Sequence, residues 1–312
     1  MGGLITDEQR DRRIVNALSF IYFFRYVTVK DLNLFGSTFL EVSNMRRTIE
    51  HLVKHKMIKN FDIPSPIKTV GYYILDGGMD RLSAVKSPLL DYKYEFWPTR
   101  YKPTTYWHET GVRETCLWLK MAYNKGYWLT EWMLRQRRVK ASGNNGKKLA
   151  WRKKGVYGGR LPDGLFVVGK KARIAIEYES NSKNYQDWIH MIDDLQYAMN
   201  EKKKLDLDTL DMVFKKDFEA VLFVFSDTNM FCSYLKRFDE YSKTMKLGNL
   251  ERNLVRSEKA SRDRFFFATL EHLKGGVIYK AGGGETTFDE LCQFVEKDAL
   301  VIEERNKAYE RV

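Results

Sequence analysis

Cysteine is scarce here: three in 312 residues, Cys116, Cys232 and Cys292, with no paired spacing between them. That argues against a disulfide framework and a cysteine-built zinc site, and the expectation is three buried free thiols in a reducing compartment. Proline is sparse too, at six. Apolar runs long enough to span a bilayer are missing, and Met1 to Arg13 is polar and charged where a signal peptide is apolar. The expectation is a cytoplasmic chain with no membrane partner. With 44% hydrophobic and 14% aromatic residues it is too apolar to stay disordered. Its length suits two domains better than one.

Acid is the other absence, and it is local. Residues 1–90 carry 13 basic and 9 acidic side chains, residues 91–180 carry 19 and 8, and residues 181–312 carry 21 and 24. From Arg135 to Arg173 there are 13 basic residues and one acid, Asp163. Any fold of that stretch presents a positive surface, for which polyphosphate is the natural partner; a solvated basic loop is the plainer alternative. Arg137, Arg138, Lys147, Lys148, Arg152, Lys153 and Lys154 are its candidate DNA contacts.

Residues 10–26 place Ile14, Leu18, Ile21 and Tyr22 at helical spacing. Thr28 caps a short second helix through Leu32 and Phe35 that ends at Gly36, and Thr38 with Glu41 forms a capping box for a third. In that third helix Val42, Met45, Ile49, Leu52 and Val53 make the core stripe. Met57–Phe61 and Val70–Leu75 read as strands around Pro64 and Pro66, a β-hairpin. Helix, helix-turn-helix and hairpin together describe a winged helix-turn-helix over residues 1–90, whose second motif helix enters the major groove. Ser43, Asn44, Arg46 and Arg47 are the expected base-reading residues, while Arg13, Lys59 and Lys68 are placed for phosphates. A winged helix devoted to protein contacts is the alternative.

Residues 91–105 form an aromatic, proline-bearing linker, and residues 106–312 an α/β domain. Its elements read as a helix from His108 to Tyr123 with Val112, Cys116, Leu119 and Met121 apolar, a strand from Tyr127 to Leu134, and a basic loop. A hairpin follows, Leu161–Val168 and Ala172–Glu179, and then alternating helices and strands. With the turn at Gly169, Lys170 and Lys171, Val168 faces Ala172 and Asp163 faces Glu177. Glu179 projects on the same side as Glu177. Like charges so close need compensation, by a divalent ion or by Arg160, Arg173 or Lys183.

Metal-dependent phosphodiester cleavage needs oxygen ligands for Mg²⁺ or Mn²⁺ and usually a lysine beside the attacking water. Pro162-Asp163 followed by Glu177-Tyr178-Glu179 resembles the PD-(D/E)xK nuclease signature. The resemblance implies Asp163 and Glu177 as metal ligands, with Glu109, Glu114 or Glu131 in supporting positions. The signature wants lysine where this chain has Glu179, and Lys183 could supply the amine from a migrated position. The catalytic candidates are therefore Asp163, Glu177, Glu179 and Lys183. Over roughly residues 10–240 the chain resembles the replication-relaxation family of plasmid and phage accessory proteins. The residues that carry this are the winged helix, then His108, Glu109, Val112 and Glu114, then Trp128 and Glu131, then Pro162-Asp163-Gly164, then Glu177 and Glu179. The family resemblance implies an α+β or α/β chain with a winged helix before a mixed-sheet nuclease-like domain. It also implies DNA binding in replication or mobilisation of a mobile element, with a relaxase or replication protein as a further partner. An active Mg²⁺- or Mn²⁺-dependent endonuclease and a protein-binding scaffold remain the alternatives.

Overall fold

The computed structural model describes residues 6–40, 45–63, 69–85, 96, 105–134, 161–169, 172–199, 202–205, 212–215, 217–248 and 263–309. The chain is a mixed α+β protein that falls into two compact units, Met1–Leu117 and Trp118–Val312. No helix among the described residues is long and apolar enough to cross a membrane. Most of the expected linker lies outside the described residues. Within it, Phe96 packs on Tyr26, Phe61 and Tyr73 of the N-terminal unit.

The N-terminal unit runs α1 (Asp7–Phe24), β1 (Tyr26–Thr28), α2 (Val29–Phe39), α3 (Arg46–Lys54), β2 (Ile58–Ile63), β3 (Thr69–Ile74) and α4 (Asp76–Ala84). Helix α1 starts in a Thr6–Gln9 capping box and buries Ile14, Leu18, Ile21 and Tyr22, as the periodicity predicts. Thr28 caps α2: its hydroxyl accepts the Asp31 N–H, and Asp31 accepts the Thr28 N–H in return. The helix then passes through Gly36 and continues to Phe39, so Thr38 lies inside it and is not the cap of α3. Asn33 Oδ1 accepts the Met45 N–H at 3.0 Å, tying the start of α3 to α2 without a side-chain cap. Met45, Ile49 and Leu52 are buried, whereas Val53 is 42% exposed and leaves the predicted stripe. Strands β2 and β3 pair antiparallel from Ile58↔Ile74 to Ile63↔Thr69, and β1 adds a third strand on β3.

Helix α5 (Tyr106–Ala122) follows, and the C-terminal unit continues with β4 (Tyr127–Thr130), β5 (Gly164–Val168), β6 (Ala172–Glu179) and α6 (Tyr185–Met199). A small ladder of β7 (Lys202–Leu205) and β8 (Met212–Lys215) stands apart from the main sheet. Then come β9 (Ala220–Phe225), α7 (Thr228–Gly248), β10 (Phe265–Thr269), α8 (Leu270–Lys274), β11 (Val277–Lys280), β12 (Glu285–Thr287) and α9 (Phe288–Tyr309). The expected strand Tyr127–Leu134 stops at Thr130, and residues 131–134 turn into a helix. Met121 of α5, an expected core position, is 49% exposed.

The seven-stranded sheet has the order β12-β11-β10-β9-β6-β5-β4. Its centre, β10, β9 and β6, is parallel, and both flanks are antiparallel. All six residues of β9, Ala-Val-Leu-Phe-Val-Phe, are buried, the pattern of a strand covered on both faces. On one face Phe223 and Phe225 stack near Phe267, and Phe238 of α7 packs against Phe265 and Phe267. Trp188 of α6, wholly buried, meets Tyr234, Phe238 and Tyr241 of α7 edge-on. On the other face Phe166 packs on Phe288 of α9, which Arg264 holds through two bonds of 2.7 and 2.8 Å to Asp298.

Candidate functional site

The β5–β6 register runs from Val168↔Ala172 to Gly164↔Ile176, so the count that sets Asp163 opposite Glu177 is the register the strands adopt. The ladder ends at Gly164, however, and Asp163 occupies the bend before β5 where Leu161–Asp163 was expected to be strand. Its Oδ2 accepts the Tyr178 N–H at 2.8 Å, and its carbonyl accepts the Glu131 N–H at 3.2 Å. Asp163 thereby ties the end of β4 to β6.

Gly164 has a packing reason to be glycine. A Cβ there would stand 2.3 Å from Cζ2 of Trp128, whose indole is buried and has no room to yield. The Trp128 and Pro-Asp-Gly motif pieces thus meet as a close-packed contact.

Glu177 and Glu179 are both buried, and the parallel register puts them beside Phe223 and Phe225, on the face covered by α7. Lys183 ion-pairs with Glu179. It lies two residues ahead of α6, not on that helix, and α7 fixes its backbone: its N–H donates to Tyr234 Oη at 2.9 Å, and its carbonyl accepts Arg237 Nη1 at 2.8 Å. Tyr234 and Arg237 escaped sequence reasoning. They stand about fifty residues downstream on a helix with no motif, and only the fold brings them to Lys183.

Other candidates serve elsewhere. Arg173 sits at the far end of β6, where its N–H donates to the Glu219 carboxylate, and Arg160 lies outside the described residues. Glu109 belongs to the N-terminal unit, accepting the Tyr26 hydroxyl with Arg25 at 3.9 Å. Glu131 opens the helical turn after β4 and is not on the strand. No group of three or more His, Cys, Asp or Glu among the described residues is arranged to hold a metal ion. Mg²⁺ or Mn²⁺ prefers several convergent oxygens, and here one Asp163 oxygen serves a backbone N–H while Glu179 holds an ammonium. A cavity of about 510 Å³ lies at the turn end of the hairpin, between Gly169 and Leu300 of α9, away from these acids.

In the N-terminal unit, Arg47, Glu50, His51 and Lys54 occupy the face of α3 opposite buried Ile49 and Leu52. Arg46 is exposed, with its Nε 2.8 Å from Glu50 Oε1. Such an exposed i,i+4 pair contributes only about 0.3–0.5 kcal/mol and opens easily. Lys59 is exposed on β2. Ser43, Asn44, Lys68, Arg137, Arg138, Lys147, Lys148, Arg152, Lys153 and Lys154 lie outside the described residues.

Elsewhere in the N-terminal unit Asp31 and Arg113 form a buried ion pair, Nε to Oδ2 2.9 Å, with the guanidinium 4.7 Å above the Tyr26 ring. Burial alone would lower the Arg113 pKa; Asp31, Tyr26 and Glu109 outweigh it and raise it, so the charge is permanent. Comparisons with protein-family models, with curated proteins and with solved structures each found no match.

Proposed function

We propose that this chain is a DNA-binding accessory protein in the replication or mobilisation of a plasmid, phage or other mobile element, whose nuclease-like domain is degenerate. The observation that carries the reading is the outer face of α3, where Arg47, His51 and Lys54 stand on a helix backed by a buried apolar stripe. The order α1-β1-α2-α3-β2-β3, ending in a hairpin, suits a winged helix-turn-helix that offers α3 to a major groove. The 13 cations between Arg135 and Arg173 supply the sequence-independent attraction. A relaxase or replication protein would be the partner on the protein side.

The test is binding of labelled duplex and single-stranded DNA by the full chain across a salt series. Affinity should fall steeply with salt, because each neutralised phosphate releases counterions. Arg46→Ala and Arg47→Ala should relax sequence preference, while neutralising Lys147, Lys148, Arg152, Lys153 and Lys154 lowers affinity on every sequence alike. No affinity at low salt would remove the proposal.

Degeneracy of the second domain is supported by the Glu179–Lys183 pair and by the use of Asp163 as a backbone acceptor. Active Mg²⁺- or Mn²⁺-dependent cleavage is the second reading, favoured by three acids at one end of the sheet. Asp163→Asn keeps an oxygen for the Tyr178 N–H and separates the two. A degenerate site predicts no rise in melting temperature with Mn²⁺ and no nicking by either protein. Nicking by wild type that Asp163→Asn abolishes would establish the enzyme.

A further inference from the structure

We propose that His51 and His55, with Lys54 and with Arg10 of α1, form a phosphate-binding patch whose charge follows pH, so that the chain grips DNA more tightly as pH falls. The inference rests on the DNA-binding reading of α3 and assigns its regulation. The four-residue spacing puts both imidazoles on one face, and their ring centroids are 4.2 Å apart at an interplanar angle of 37°. The His55 N–H donates to the His51 carbonyl at 3.0 Å, so the backbone itself holds the pair. His51 is half-buried and His55 exposed. No side chain among the described residues hydrogen-bonds to either ring, which leaves the imidazole nitrogens available to a proton and a phosphate.

The charges that act on His51 are His55 and Lys54 from α3 and Arg10 from α1, all of one sign. The acids beside these groups are paired in turn, Glu50 with Arg46 on α3 and Asp7 with Arg10 on α1, both as exposed pairs that open easily. Burial first, and then those three neighbours, hold the His51 pKa below its ordinary value, so the unbound protein keeps that ring neutral near pH 7. A phosphate set against the pair reverses the balance, since its negative charge favours the imidazolium that the cations disfavour. Binding therefore takes up protons. An i,i+4 histidine pair is also a known geometry for a divalent transition metal, but Arg10 and Lys54 repel a dication and attract an anion.

The experiment measures affinity of the full chain for a fluorescently labelled duplex at constant salt, from about pH 8 to about pH 6. Wild type should bind about threefold or more tightly at the lower pH, because the bound phosphate favours the protonated ring. His51→Gln/His55→Gln should lose that pH dependence and keep the weaker affinity. His51→Lys/His55→Lys should bind tightly at both ends. His108, His190 and His272 are unchanged in these variants, so the difference isolates the pair. The same pH dependence in wild type and the Gln variant would overturn the inference while the DNA-binding reading stands. Zn²⁺ binding near pH 7 that the Gln variant loses would also overturn it, in favour of a metal site. Absence of binding at every pH would remove the DNA-binding reading itself.

Discussion

In the N-terminal unit Arg113 faces Asp31 with side chains 1% and 6% exposed; in the C-terminal unit Lys183 faces Glu179 at 24% and 4%. The first pair is sealed on both sides. Asp31 also accepts the Thr28 N–H and hydroxyl at the start of α2, and Arg113 lies over Tyr26, whose hydroxyl reaches Glu109. The second pair has one sealed carboxylate and one amine that water can reach. Where both charges are locked in a network, charge holds the fold; where one can leave, charge is available to a ligand.

Removing one partner from each pair tests that contrast, and the largest effect belongs to Arg113→Met. It leaves Asp31 charged and buried, and should cost about 3–5 kcal/mol in denaturant unfolding. Adding Asp31→Leu should recover part of this but not the cap on α2, which is worth about 1 kcal/mol. Buried Cys116 and Cys292 report on the two units separately. Burial, with Asp289 and Glu296, pushes the Cys292 thiol pKa up, so it too should resist thiol reagents in the native state. Arg113→Met should speed labelling of Cys116 more than that of Cys292, with exposed Cys232 reacting first in either protein.

Gly164→Ala should be next, at about 1–3 kcal/mol, because the new methyl would meet the buried Trp128 ring. Lys183→Met should cost less, about 1–2 kcal/mol, since its amine is partly solvated, and Glu179→Gln should relieve it. A loss from Lys183→Met as large as that from Arg113→Met would erase the distinction between the pairs. The smallest effect is that of pH on His51. Its folded pKa lies below the ordinary 6.5, so its stabilising contribution is present above that value. It is lost as pH falls through the folded value, because the unfolded chain takes the proton first. On this half-buried ring solvent screens the effect, so the loss should be small, read as a slight shift in denaturation midpoint that His51→Gln removes.

The hairpin of acids was legible because a short turn between two alternating strands leaves one sensible register, and Asp163↔Glu177 follows by counting. What that register could not say is that Asp163 would leave the ladder and accept the Tyr178 N–H. Strand β1 was invisible because three residues carry no periodicity of their own and are strand only through pairing with β3. Helix α4 was hidden by Gly77 and Gly78, poor helix formers in isolation. A Cβ on Gly78 would lie 2.4 Å from the Met57 carbonyl oxygen, so close packing requires the residue that propensity disfavours. Among the described residues the α3 stripe failed at Val53, where the buried arc is narrower than the run of apolar residues, and Val42 lies outside them. Tyr234 and Arg237 act on Lys183 from another helix, and no local pattern signals such a contact.

The Arg113–Asp31 pair also decides where this protein can be cut. A fragment ending at the proline-rich segment near residue 90 to 105 would carry every strand of the three-stranded sheet and all of α1 to α4. It would nevertheless strand Asp31 without its guanidinium and Tyr26 without the Glu109 carboxylate. Expression of the N-terminal half as a soluble reagent should therefore fail at a terminus of 90 or 105. It should succeed once the chain is carried past Arg113 to Leu117, with the added turns of α5 serving as an integral strut and not as a spacer.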